Sequence, residues 1–112
     1  MNTEAIVEFK SGRVGSLAKV VVESIVEDEL IDEFQRELHE FVNVHPGTIL
    51  HLDLSHVRLF SCAVFPELLQ IQEELRESCG ALCLEGVHGN VDDIMALTGM
   101  DKVFTVDRRH AS

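Results

Sequence analysis

The segment Thr48–Leu54 constrains this chain more than any other: Thr-Ile-Leu-His-Leu-Asp-Leu is almost wholly apolar and lies between two stretches whose apolar residues recur at helical spacing. A short run of this kind, preceded by the helix-stopping His45-Pro46-Gly47, reads as a buried strand. Its pattern is the one expected when both faces of a sheet are covered. Upstream, Leu30, Ile31, Phe34, Leu38, Phe41 and Val42 form one apolar stripe among carboxylates and predict a helix over 30–42. Downstream, Phe65, Leu68, Leu69, Gln72, Leu75 and Cys79 mark one side of a second helix over 62–78, with Gly80 placed for its C-cap.

The flanking sequence extends the alternation. Residues 4–9 and 17–22 read as a hairpin around the turn chemistry of Ser11-Gly12 and Gly15-Ser16. Ala81–Leu84 reads as a second buried strand and Glu85–Gly89 as a loop. Asn90 is expected to cap a short helix over 91–98, with Asp92 and Asp93 in its first turn and Gly99 as its stop. Val103–Val106 is the last expected strand, before a polar tail at 107–112. The order β-β-α-β-α-β-α-β implies a single α/β domain over 1–112, with a mixed, mostly parallel central sheet of four to five strands flanked by helices.

Charge narrows the function classes. Twenty Asp and Glu against nine Lys and Arg give a net charge of -11, so neither nucleic acid nor an anionic membrane is an expected partner. Eight of the carboxylates fall between Glu23 and Glu40 with a single Arg, as a solvated helix face or as an acidic surface that steers a basic partner. No apolar run approaches the roughly 20 residues of a membrane span. No basic, then apolar, leader opens the chain, and three cysteines suit a reducing cytoplasm.

The motifs of common enzymes, G-x-G-x-x-G, the P-loop, the nucleophile elbow and H-E-x-x-H, are absent from the sequence. Cys62 could act as a nucleophile at a helix start, but the Arg that a C-x5-R phosphate loop requires is Leu68, so Cys62 is expected to be a packing residue. Cys79 and Cys83 have C-x3-C spacing without a second pair, so core packing is expected rather than a metal site. The six histidines form no H-x3-H pair, and His51 reads as a satisfied, partly buried strand residue. Gly86–Gly89 is a weak anion loop that Asp92 and Asp93 would oppose. Neither cofactor nor metal is expected.

Residues His51-Leu52-Asp53-Leu54-Ser55-His56-Val57, the strand Gly80–Leu84 after a helix, and Leu97-Thr98-Gly99-Met100-Asp101-Lys102-Val103-Phe104 together resemble the STAS domain family of anti-sigma factor antagonists. The likeness spans about 100 residues. It implies protein recognition, commonly docking on an anti-sigma factor that is also a serine kinase. In that family a D-S-S-G-L-G motif heads the helix after the central strand, and its first Ser is phosphorylated. Carried across, Ser61 stands for the Asp, Cys62 for the phosphoacceptor, Ala63 for the second Ser, Val64 and Pro66 for the two Gly, and Phe65 for the Leu. Cys62 cannot become a phosphoserine. A phosphate at that helix head would add about -1.5 to -2 charge, so its loss removes the usual switch.

The resemblance therefore implies a docking protein rather than an enzyme, with Arg58, Ser61, Cys62, Ala63, Val64 and Phe65 as the contact surface. Ser61 is expected to be the N-cap of the helix, with phosphorylation there as the alternative. Pro66 lacks the N–H that a helix starting at 61 or 62 would use, so the first turn is expected to be delayed. The expected partner is an anti-sigma factor, its kinase or another STAS protein. The alternative is a self-associating scaffold, at its simplest a homodimer through the apolar helix entrance.

Overall fold

The structure, a computed structural model, describes residues 5–107. Expectations for 1–4 and for 108–112 in the polar tail lie outside it. The elements are β1 (Val7–Ser11), β2 (Ser16–Val20), β3 (Ser24–Ile25), α1 (Asp28–Val44), β4 (Ile49–Asp53), β5 (Leu59–Phe60), α2 (Val64–Glu77), β6 (Ala81–Glu85), α3 (Gly89–Thr98), α4 (Met100–Val103) and β7 (Thr105–Asp107). The strands β1-β2-β4-β6-β7 lie in that order in one sheet. Only the β1–β2 hairpin is antiparallel; the other pairings are parallel. The remaining two strands, β3 and β5, make a small parallel pair of their own.

The register sorts the sheet into two unlike faces. Val7, Phe9, Ala18, Val20, Leu50, Leu52, Leu82, Leu84 and Val106 alternate onto one face, and all but the partly buried Phe9 and Val106 lie in the core. Helices α1 and α2 pack on that face, burying Ile31, Phe34, Leu38 and Val42 from α1 and Val64, Phe65, Leu68, Ile71 and Leu75 from α2. Rings bind the layers: Phe9 and Phe41 stack with centroids 4.3 Å apart, and Phe60 meets Phe34 and Phe65 edge to face at 6.5 and 5.7 Å.

The opposite face corrects the expectation that both faces are covered. It carries Glu8, Lys10, Leu17, Lys19, Ile49, His51, Asp53, Ala81, Cys83, Glu85 and Asp107, all exposed or half-exposed. The apolar appearance of Thr48–Leu54 came from Leu50, Leu52 and Leu54, which are buried, together with Ile49, which is 40% exposed.

Details also differ: β3, β5 and α4 were not expected, and several boundaries move. On α2 the buried stripe runs through Ile71, whereas Leu69 is exposed. His88 rather than Asn90 precedes α3, and Val103 belongs to the single turn α4, so the last strand starts at Thr105. At the end of α2 the left-handed residue is Cys79, with φ 69°, and not Gly80. The Cys79 N–H donates to the Arg76 carbonyl at 3.0 Å and the Gly80 N–H to that of Leu75 at 2.7 Å, a paired C-terminal cap. Gly80 is required for another reason. A Cβ there would stand 2.2 Å from the Thr48 carbonyl oxygen, where α2 hands the chain back to the strand beside β4.

Candidate functional site

The residues singled out from sequence lie on the loops at the C-terminal ends of the parallel strands, the edge where open α/β sheets bind ligands and partners. Three contacts shape this edge. Asp53, the last residue of β4, accepts the Ser55 N–H on Oδ1 at 2.9 Å and turns the chain sharply out of the sheet. The Leu54 N–H donates to the Glu85 carbonyl at 2.8 Å, and His88 Nε2 donates to the Ser55 carbonyl at 2.8 Å, so the loops after β4 and β6 are tied together. Gly86 is needed there because a Cβ would lie 2.8 Å from the Ser55 nitrogen.

Beyond this turn the backbone is pinned to β3. The N–H groups of Arg58 and Leu59 both donate to the Glu23 carbonyl, at 2.7 and 3.2 Å, and the Ser61 N–H donates to that of Ile25 at 3.0 Å. The Arg58 guanidinium lies 3.9 Å from the Glu23 carboxylate, with both side chains largely in solvent. The Ser61 Oγ accepts the Ala63 N–H at 3.1 Å, and the Ser61 carbonyl accepts the Val64 N–H at 3.0 Å. Residues 61–63 thus form a tight turn, and α2 begins only at Val64, with Pro66 in its first turn. The delay follows from the missing proline donor. It also moves the cap: Ser61 supports the turn before the helix, and Ala63, which offers no side-chain bond, is the N-cap residue.

Burial divides the expected contact surface. Arg58, Cys62 and Ala63 are exposed and Ser61 is half-buried. Val64 and Phe65, by contrast, are 0% and 4% exposed, and Phe65 packs between Phe60 and Phe104. They are corrected here from contact residues to core residues. Large apolar groups at the first two helical positions of α2 gain more from the covered face than from solvent, by roughly 1.5–3 kcal/mol each. Cys62 is corrected in the other direction, from packing residue to exposed surface.

The other cysteines also depart from expectation. Cys79 is exposed and Cys83 is half-exposed, and neither lies in the core. Cys83 faces the uncovered side of the sheet beside His51, whose Nδ1 hydrogen-bonds Glu85 at 2.7 Å.

Sequence reasoning also missed a buried carboxylate. Glu37 on α1 accepts the Val7 N–H at 2.9 Å and the Ile6 N–H at 3.1 Å, clamping the entry of β1 to the helix. Burial, reinforced by Glu33, pushes the Glu37 carboxyl up to about 7, while the two amides pull it down. Hydrogen bonds from Glu37 and Arg36 hold Glu33 below the usual carboxylate range. A lone Glu within an apolar helical stripe was the only available signal.

The architecture defines a class, a two-layer α/β domain whose five-stranded sheet carries helices on one face and presents a loop-and-helix-head surface at its C-terminal edge. The STAS domain profile matches residues 21–112, and the chain belongs to that family. Among solved structures, an anti-sigma factor antagonist from Mycobacterium paratuberculosis superposes with a TM-score of 0.78 at 19% identity, over 94% of this chain and 86% of that one. An anti-sigma-factor antagonist (STAS) domain protein from Planctomyces limnophilus gives 0.78 at 13% identity, over 89% and 87% of the two chains. No curated protein sequence matches the chain. Among the described residues no helix is long and apolar enough to cross a membrane.

Proposed function

We propose that this chain is a protein-docking module of the anti-sigma factor antagonist type, which binds an anti-sigma factor, a related serine kinase or another STAS protein and catalyses no reaction. The observation that carries the reading is the turn Ser61–Ala63. It is uncharged and mostly exposed, heads a long helix, and is held in one conformation by backbone bonds to β3 and by the Ser61 hydroxyl. Such a surface is preorganised for a partner. The two solved structures compared above are themselves described as anti-sigma factor antagonists. Arg58 and Glu23 form a charged rim beside the turn. Because Cys62 stands at the family's phosphoacceptor position, control lies with the partner, with expression, or with phosphate on Ser61, in the cytoplasm of a bacterial cell.

A photo-crosslinker attached at Cys62, in a chain carrying Cys79→Ser and Cys83→Ser, tests this in an extract of the source organism. The expected adduct contains an anti-sigma factor, a kinase of that type or another STAS protein. Adducts only with unrelated proteins would sink the reading. Self-association is the second reading. With Val64 and Phe65 buried, it rests on the uncovered sheet face, where Leu17 and Ile49 are 39% and 40% exposed. Sedimentation over a concentration series separates it from a monomeric docking module.

A further inference from the structure

The uncovered sheet face brings together three donor types that are distant in sequence. His51 on β4 and Cys83 on β6 are register partners in a parallel pair, and Glu85 follows Cys83 by two residues on the same face. An imidazole nitrogen, the Cys83 Sγ and a Glu85 carboxylate oxygen all lie within 4.8 Å of one another, and each residue is half-exposed. We propose that His51, Cys83 and Glu85 form a binding site for a divalent transition-metal ion of the zinc class. This site lies on the uncovered sheet face and not in the turn 61–63, and the proposal does not rest on the docking reading.

The donor set selects the ion. Thiolate and imidazole favour Zn²⁺ and its neighbours over Mg²⁺ and Ca²⁺, which take oxygen ligands. Three protein ligands leave a fourth tetrahedral position open toward solvent. Metal–ligand bonds of about 2.0–2.3 Å place the ligand atoms roughly 3.3–3.7 Å from one another. The His51–Glu85 hydrogen bond at 2.7 Å must therefore open by less than about 1 Å. The ligands rise from adjacent strands in the middle of the sheet, so little backbone motion accompanies that change.

Nearby charge favours a cation on balance. On this face Glu85 is flanked by its register partners Asp53 and Asp107; Lys19 lies beyond Asp53, and Lys10 lies beyond Leu17 in the row of His51. Binding replaces the His51–Glu85 hydrogen bond with bonds from both side chains to the ion.

The probe is Co²⁺, followed by competition with Zn²⁺, on the full chain. We expect one equivalent of Co²⁺ to give a thiolate-to-cobalt charge-transfer band with the intense visible bands of a tetrahedral site, and Zn²⁺ to abolish both. Cys83→Ser should remove the charge-transfer band, and His51→Gln and Glu85→Gln should each weaken binding at least about tenfold. All three positions are half-exposed, and unchanged circular dichroism will verify folding. A Cys62→Ser/Cys79→Ser double variant should bind as the parent does. The proposal is overturned if no thiolate band appears, if the band survives Cys83→Ser, or if it vanishes in the double variant.

Discussion

At the scale of single residues, the junction after α2 shows two neighbours whose identities answer to different constraints. Cys79 occupies the left-handed region that disfavours a side chain, whereas Gly80 has ordinary dihedrals and no space for one. Cys79→Gly is therefore expected to stabilise the fold by about 0.5–1 kcal/mol. Gly80→Ala, which drives a Cβ into the Thr48 carbonyl, is expected to cost about 3 kcal/mol. Urea melts of the two variants check both signs, and a Gly80→Ala chain as stable as the parent would refute the close approach. The position of a glycine after an amphipathic run is legible in sequence, but which of two adjacent residues takes the positive φ is not. That depends on the carbonyl of a strand about thirty residues away.

At the scale of elements, α1 and β1 are joined through one carboxyl group. Glu37 has its folded pKa raised from 4.5 to about 7, so the folded chain holds its proton more tightly than the unfolded chain. Its contribution to stability is complete below pH 4.5 and is lost as the pH rises from 4.5 to about 7. Glu37→Gln keeps an oxygen for the Ile6 and Val7 amides and cannot ionise. Relative to this variant, the parent is expected to lose of the order of 1–3 kcal/mol between pH 5 and pH 8. Thermal melts of both proteins across that range test it, and parallel curves would show that Glu37 titrates normally. The helix itself was legible from Ile31, Phe34, Leu38 and Val42, each spaced to face the sheet. The clamp was not, because it needs the backbone of β1 to arrive opposite Glu37.

For the molecule as a whole, the chain carries a net charge of -11, and its described residues span only 37 × 31 × 24 Å. At ~0.01 M salt the screening length is about 30 Å, so carboxylates repel across the entire protein; at ~1 M it falls to about 3 Å. Raising NaCl over that range is expected to raise the melting temperature by several degrees, the equivalent of about 1 kcal/mol. A flat response would mean that local pairs such as Arg36 with Glu33 and Glu40 already neutralise the acidic helix. The α/β class, the five strands of the main sheet in their order along the chain and the helix that follows Ser61 to Ala63 were determined by local patterning, since amphipathic periodicity and turn residues act within a few positions; the two-residue strands β3 and β5 were not. Only the tertiary structure decided that the sheet is covered on one face, that Val64 and Phe65 turn inward while Cys62 stays in solvent, and that His51 meets Cys83 and Glu85. Each of these depends on which strands become neighbours and in what register, and a shift of one residue would carry every side chain of a strand to the opposite face.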